Sequence, residues 1–159
     1  MPRVKHPEVI EVLNQVLTNE LTAINQYFLH AKMFQNWNYM RLAGIVRAES
    51  IDEMKHADEL IDRILYLEGL PNVQRLGHVA IGENPEEMLR ADLELEYKAI
   101  PDLQRGIKLC RELNDEGSRV LLDKILVSEE EHVDWIEAQL DQIEQVGLQN
   151  YLAEQIRPA

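Results

Sequence analysis

The chain has 159 residues and a net charge of −13, with 45% hydrophobic and 28% charged residues. This length is enough for one domain with a buried core, and we expect residues 1–159 to form a single domain. The acidity argues against nucleic acid and anionic membrane surfaces as partners, and the single cysteine, Cys110, excludes a disulfide framework and cysteine-based metal sites within one chain.

The first two helical patterns are long and are joined by a short turn. The first runs from about residue 7 to about residue 35. The second runs from about residue 39 to residue 68, where Gly69 is expected to stop it and Pro71 follows. Because only residues 36–38 separate the two patterns, we expect antiparallel neighbours.

The third and fourth patterns form another such pair. The third begins at Asn84-Pro85-Glu86-Glu87, which provides a capping side chain, a proline at the first position and acid in the first turn. The fourth begins near residues 115–118 and ends before Gly147. A short amphipathic tail follows at residues 148–156.

The connection between the second and third patterns is long. Residues 69–83 exceed the usual length of a loop and suit a crossover along a bundle. The sequence therefore predicts an all-α four-helix bundle with a long crossover between helices two and three and a short fifth C-terminal helix. The opening stretch, MPRVKHPEV, has no hydrophobic signal region and no apolar run could span a bilayer, so we expect a cytoplasmic protein.

Six polar residues interrupt the apolar stripes near the middle of the four helices. Two of the interruptions are Glu-x-x-His pairs, which place a carboxylate and an imidazole on one helical face, one turn apart. No Arg or Lys lies at this level, and buried carboxylates without a partner are costly. Four carboxylates balance two divalent cations, and this donor set suits iron, manganese or zinc. The six candidate ligands are Glu20, Glu53, His56, Glu96, Glu129 and His132.

Several neighbouring residues have two interpretations. Glu49, one turn before Glu53, is either a supporting acid or alternative ligand, or a solvated helix acid. Met54 points about 100° away from the Glu53 face. There it either fills a helix–helix contact or serves as an axial haem ligand. Tyr27 either lines the site or belongs to the core, and we expect Trp135 to pack rather than to donate electrons.

These residues and the stretches around them resemble the bacterioferritin family, and the resemblance covers essentially the whole chain. The resemblance implies a ferritin-like four-helix bundle that assembles into a hollow homo-oligomeric shell of 24 subunits. The matching stretches are NELTAINQYFLHA, ESIDEMKHAD, LEGLPN, EEMLRADLELE, SEEEHVDW and GLQNYL.

The resemblance implies an iron-storage ferroxidase. It implies oxidation of Fe²⁺ by O₂ or H₂O₂ at a di-iron centre within each subunit, and storage of the ferric mineral in the shell. The family's ligand positions fall on the same six residues, with Glu53 and Glu129 bridging the irons. The other four ligands form two pairs, and each pair completes the coordination of one iron: Glu20 with His56, and Glu96 with His132.

The resemblance also implies a b-type haem, shared between two subunits and held by Met54 from each. Iron release would then use electrons from a bacterioferritin-associated ferredoxin that docks over the haem, with Met33 and Leu70 as expected contacts. Arg47 stands near the haem position and is expected to pair with an acid or a haem propionate. Some members bind iron on the inner wall through a histidine and an aspartate. Here Ala48 stands in place of that histidine while Asp52 remains, which argues against an inner-wall site and favours iron entry through the ferroxidase centre.

Two other kinds of function remain compatible with the sequence. The same bundle hosts di-iron oxygenases, peroxidases and manganese catalases, because fold does not determine function. A haem electron-transfer bundle with a structural metal pair is the second alternative. A rubrerythrin is excluded, because its Cys-x-x-Cys module needs more than one cysteine.

Overall fold

A computed structural model describes residues 6–159, and within them it has five helices and no strand. This confirms the predicted all-α class, with four long helices and a short fifth. The signal-region prediction for MPRVKHPEV falls partly on residues 1–5, which lie outside the described residues. The helices are α1 (Pro7–Asn36), α2 (Met40–Tyr66), α3 (Pro85–Glu112), α4 (Glu116–Val146) and α5 (Leu148–Ala153).

Local side-chain chemistry accounts for where α3 and α4 begin and end. The Asn84 side chain accepts a hydrogen bond from the Glu87 N–H at 2.9 Å, as the sequence predicted. Asp115 does the same for the Ser118 N–H at 3.1 Å. Both side chains satisfy amides that have no partner within the helix. Gly147, with φ +84°, separates α4 from α5.

The end of α2 differs from the prediction that Gly69 stops the helix. The helix ends at Tyr66, and it is Glu68 that adopts the left-handed conformation, with φ +62°. A Cβ atom on Gly69 would lie 2.8 Å from Cγ2 of Ile10. Glycine at this position therefore permits a close approach to α1. The tail also differs, since α5 ends at Ala153 instead of residue 156.

The four long helices pack as two antiparallel pairs, α1 with α2 and α3 with α4. Contacts between α1 and α3 and between α2 and α4 close the bundle, and α5 packs on α4. The crossover, residues 67–84, joins the two pairs. None of the helices in residues 6–159 is both long and apolar enough to cross a lipid bilayer.

The buried apolar side chains form two clusters along the bundle. One includes Leu13, Leu17 and Leu60, and the other includes Ala23, Phe34 and Ile136. On α1, Glu20 lies between Leu17 of the first cluster and Ala23 of the second. A polar layer therefore separates the two apolar halves of the core, and this layer contains the residues that the sequence singles out.

Candidate metal centre

The six predicted ligands converge in this polar layer, which we call the carboxylate–histidine layer. Each side chain belongs to a residue that is no more than 6% exposed. The structure therefore brings together every residue that the sequence proposed for the two-metal site, and their role as ligands stays a prediction. All four long helices contribute: Glu20 from α1, Glu53 and His56 from α2, Glu96 from α3, and Glu129 and His132 from α4.

The layer consists of two overlapping groups of possible ligand atoms. Within each group, one ligand atom per residue lies within 4.8 Å of all the others. Glu53 and Glu129 belong to both groups, so each offers oxygens to two positions. The first group is Glu20, Glu53, His56 and Glu129, and the second is Glu53, Glu96, Glu129 and His132.

The individual distances show how the shared carboxylates are divided. Glu53 Oε2 lies 3.5 Å from Nδ1 of His56, and its Oε1 lies 3.1 Å from Nδ1 of His132. Glu129 Oε1 lies 3.2 Å from Nδ1 of His56, and its Oε2 lies 3.4 Å from Nδ1 of His132. Each carboxylate thus spans the two groups, and both histidines direct Nδ1 to the centre.

These atoms lack the hydrogen-bond partners that buried polar groups normally have. In the described residues, eight buried side-chain atoms have no hydrogen bond, and all eight belong to the layer or to Glu49. A buried unpaired polar atom costs about 1–3 kcal/mol, and more when it is charged. Convergent carboxylate oxygens and imidazole nitrogens without partners fit divalent cations of the iron, manganese or zinc type.

The electrostatics of the metal-free layer are dominated by the crowded carboxylates. Burial alone would lower the pKa of His56, but the adjacent carboxylates of Glu129 and Glu53 outweigh it and raise the pKa to about 9. The same opposition raises the pKa of His132 far above its usual range. Protons on the imidazoles therefore compensate part of the negative charge when no cation is bound.

Glu49 is buried, so the interpretation as a solvated helix acid is wrong. Burial raises its pKa to about 8, against the opposing effect of His132. Tyr27 is also fully buried and its hydroxyl donates a hydrogen bond to Oε1 of Glu96. Tyr27 therefore lines the layer, one of its two expected roles. Trp135 packs against the apolar cluster that contains Phe34, as expected.

Ala48 and Asp52, the two residues at the position of the family's inner-wall iron site, lie on α2, and Asp52 is near His132. Ala48 is exposed, and half-exposed Asp52 has Oδ2 3.8 Å from Nε2 of His132. The sequence could not name a carboxylate for the outward nitrogen of either histidine. Asp52 is the candidate for His132, but 3.8 Å is longer than a hydrogen bond, so Asp52 would need to rotate or to act through a bridging water to orient the imidazole.

Met54 lies about 100° round α2 from Glu53, and 54% of its surface is exposed. Met54 is therefore not a core residue of its own bundle. Ile51 is exposed beside it at 42%, and the Arg47 guanidinium lies 5.7 Å from the ring centroid of Phe28. This face of α2 presents a thioether, apolar side chains and a cation together.

The sequence reasoning missed a second buried polar group. Gln26 and His30 on α1 and Asp92 on α3 are fully or almost fully buried and hydrogen-bonded to one another. Thr22, Gln26 and His30 are spaced four apart along α1, so they form a polar stripe beside Tyr27 that helical periodicity could have revealed.

Comparisons with known proteins identify relatives of the chain over nearly its whole length. A family model described as a ferritin-like domain matches residues 10–146, which include all six residues of the layer. The chain is 53% identical over 155 residues to a bacterioferritin of Streptomyces coelicolor, covering 96% of this chain and 93% of that one. It is 52% identical over 148 residues to a bacterioferritin of Mycobacterium tuberculosis, covering 93% of each. A bacterioferritin of Brucella melitensis is 46% identical over 145 residues, covering 91% of this chain and 90% of its own.

Proposed function

The chain belongs to the bacterioferritin family, and on that premise we propose that it stores iron and acts as a ferroxidase. Fe²⁺ is oxidised to Fe³⁺ by O₂ or H₂O₂ at the carboxylate–histidine layer, and the ferric mineral accumulates inside a hollow 24-subunit shell. The observation that carries the proposal is the pair of overlapping ligand groups that share Glu53 and Glu129.

The arrangement of oxygens supports specific roles for the layer residues. Glu53 and Glu129 each direct one oxygen to the His56 side and the other to the His132 side, so these two carboxylates would bridge two cations. The remaining residues complete one position each. These residues are Glu20 with His56 at one position and Glu96 with His132 at the other.

Two Fe²⁺ ions held side by side supply one electron each, which with two protons reduces O₂ to H₂O₂ or H₂O₂ to two waters. The chain's own contribution is to hold the ions and to exclude water from them. The four carboxylates stabilise the higher charge of Fe³⁺ relative to Fe²⁺ in a dry site. Cation binding releases the protons that His56 and His132 carry in the metal-free protein, because only a neutral imidazole can be a ligand.

The exposed face around Met54 supports the haem part of the proposal. A thioether is an axial haem ligand, and exposed apolar residues such as Ile51 can cover a macrocycle. At a two-fold axis each residue meets its own copy, so one Met54 from each of two subunits would hold a shared b-type haem through its sulfur. Arg47 lies on the same face, where it is placed to meet a propionate.

We extend the proposal to the assembly and its partner. Residues 1–159 form one ferritin-like domain of a cytoplasmic homo-oligomer. A bacterioferritin-associated ferredoxin supplies electrons for iron release. Leu70 is 83% exposed and available for such a contact, whereas Met33 is partly buried and packs on the bundle. Leu70 is therefore the better of the two expected contacts.

Iron loading of the purified protein tests the proposal against its rivals. We expect a native mass of 24 subunits, rapid O₂-dependent oxidation of the first two Fe²⁺ per subunit, and continued uptake far beyond two. An oxygenase, a peroxidase or a haem electron carrier has no capacity for such a load. Saturation at two irons per subunit, with no mineral, would contradict storage. Retention of manganese with rapid dismutation of H₂O₂ would favour a catalase.

A further inference from the structure

The buried polar group outside the layer joins three separate segments of the chain. We call it the His30–Asp92 network. Nδ1 of His30 and Nε2 of Gln26 each lie 2.8 Å from the same Asp92 oxygen, Oδ1, on α3. On the other side, the Gly82 N–H donates to His30 Nε2 at 3.1 Å and the Ala80 N–H donates to Gln26 Oε1 at 2.9 Å.

The direction of each hydrogen bond in the network is determined. A backbone N–H can only donate, so Nε2 of His30 must carry a lone pair. The proton of the neutral imidazole is then on Nδ1, which donates to Asp92. Gln26 has the same arrangement, with its oxygen towards the crossover and its nitrogen towards Asp92. Both α1 side chains therefore bridge the crossover backbone to α3.

The network lies next to the carboxylate–histidine layer. Asp92 precedes Glu96 by four residues, which is about one turn of α3. Gln26 and His30 flank Tyr27, whose hydroxyl donates to Glu96. The contacts between α1 and α3 at this level thus connect the helix pair that carries three layer residues to the helix pair that carries the other three.

The layer draws the two helix pairs together without fixing their separation. His56 Nδ1 lies 3.2 Å from Glu129 Oε1, and His132 Nδ1 lies 3.1 Å from Glu53 Oε1, so ion pairs join α2 and α4. These contacts lack hydrogen-bond geometry, and the crowded carboxylates repel one another in a dry interior. The covalent link between the pairs is the crossover, which the network attaches to α1 through Ala80 and Gly82. Directional hydrogen bonds beside the layer are therefore needed to fix the spacing.

We propose that His30 and Gln26 are positioning residues that hold α3, and with it Glu96, at the distance from α1 that a two-metal site needs. The inference rests on the proposed function, because it concerns the same site. It assigns to the crossover, through Ala80 and Gly82, a part in the preorganisation of the centre. Replacing a residue that hydrogen-bonds a metal ligand typically changes metal affinity roughly 10–100-fold. His30 and Gln26 act one step further out, through Asp92, so we expect an effect near the lower end of that range.

The test uses Co²⁺ titration of the assembled, metal-free protein, followed by the visible d–d absorption of the bound ion. Signal that disappears in Glu53→Ala defines binding at the layer. His30→Phe keeps an aromatic ring but removes the donor and the acceptor. Gln26→Met, of similar length, removes the second bridge and is the variant to use if His30→Phe does not assemble. Thr22→Val is the matched control. It removes one crossover hydrogen bond, from the Gly77 N–H at 2.9 Å, and the other hydrogen bond of the Thr22 hydroxyl goes to Thr18 of α1 and not to α3.

We expect both bridge variants to bind Co²⁺ at the layer at least about tenfold more weakly than the wild type, with changed d–d bands. Thr22→Val should stay within about twofold of the wild type even where its Tm falls. Wild-type affinity in both bridge variants would overturn the inference. So would an equal loss in Thr22→Val, which would reduce the effect to general destabilisation. Absence of layer binding in the wild-type protein would instead overturn the proposed function, and this inference with it.

Discussion

The carboxylate–histidine layer and the His30–Asp92 network are both buried and polar, and they lie one helical turn apart on α3, yet their hydrogen bonding is opposite. In the network, the donor and acceptor of His30 and of Gln26 all have partners at 2.8–3.1 Å. In the layer, every residue has at least one buried atom without a hydrogen bond.

The difference between these regions separates a structural role from a ligand-binding role. Burying the unpaired atoms of the layer costs a large desolvation free energy, and nothing within the layer offsets that cost if its role is only structural. The network shows that this chain can satisfy buried polar groups in the same stretch of helix. Unpaired atoms that converge in two groups are the arrangement that a divalent cation in each group would satisfy.

Removal of a shared carboxylate should have the largest effect. Glu129→Ala should lower the rate of Fe²⁺ oxidation on the order of a hundredfold or more, since both groups lose an oxygen donor. Glu130→Ala, the adjacent and exposed acid, is the matched control and should oxidise Fe²⁺ like the wild type. Oxidation is followed by absorbance after addition of O₂ to the Fe²⁺-loaded protein. Equal rates in both variants would remove Glu129 from the centre.

Met54 on the exposed face of α2 is a third case, because it belongs to neither of the two buried regions. Met54→Leu should abolish the shared haem, because leucine keeps the apolar volume and lacks the sulfur ligand. Ferroxidase activity should remain, since Met54 points about 100° away from Glu53. Met40→Leu, at another exposed methionine, is the control and should retain haem. Haem per subunit and the haem spectrum are measured, and an unchanged spectrum in Met54→Leu would place the ligand elsewhere.

The stability of the metal-free protein should respond differently to substitutions in the two buried regions. Asp92→Ala leaves the His30 and Gln26 donors unpaired, which we expect to cost about 2–5 kcal/mol and to lower the Tm clearly. Glu129→Ala should lower the Tm much less, or raise it, because it relieves repulsion among the layer carboxylates. Thermal unfolding in the presence of a chelator provides the comparison. A larger loss in Glu129→Ala than in Asp92→Ala would invert our reading of the two regions.

The sequence predicts the layer better than it predicts the network, and the reason is physical. Charged residues on an apolar stripe conflict with burial, so Glu53 and His56 stand out by periodicity alone. Gln26 and Asp92 are residue types common on helix surfaces. The spacing of Thr22, Gln26 and His30 marks a polar stripe, but it does not show that α3 and the crossover cover that stripe. Gly69 illustrates the same limit, since its close approach to Ile10 depends on tertiary contacts that a local stop signal does not contain.

The sequence also does not show which faces of a helix are covered by neighbouring helices and which are exposed on the subunit surface. Periodicity shows that Met54 leaves the Glu53 face, but it cannot distinguish a contact within the bundle from an exposed position. The structure resolves this by exposing Met54 on the subunit surface. Glu49 is the converse case, because it lies on the inward stripe and its burial follows from periodicity, while its lack of a partner does not.

The smallest predicted effect concerns pH and the metal-free layer. The pKa of His56 is raised from 6.5 to about 9, and that of Glu49 from 4.5 to about 8. In both cases the native state keeps a proton that the unfolded chain has already lost. Stability therefore falls as pH rises, between 4.5 and 8 for Glu49 and between 6.5 and 9 for His56.

The metal-free protein should consequently lose several degrees of Tm between pH 6.5 and pH 9, with the steepest change where the two windows overlap. Saturating Co²⁺ should reverse the slope, because the cation competes with the same protons and binds more tightly as they leave. Glu49→Gln removes one titrating group and should flatten the decline below pH 8 while leaving the part due to His56. Thermal unfolding across this range, with chelator and with Co²⁺, measures both slopes. A metal-free Tm that rises with pH would show that the layer holds no excess protons, and the proposed exchange of protons for cations would then have no basis.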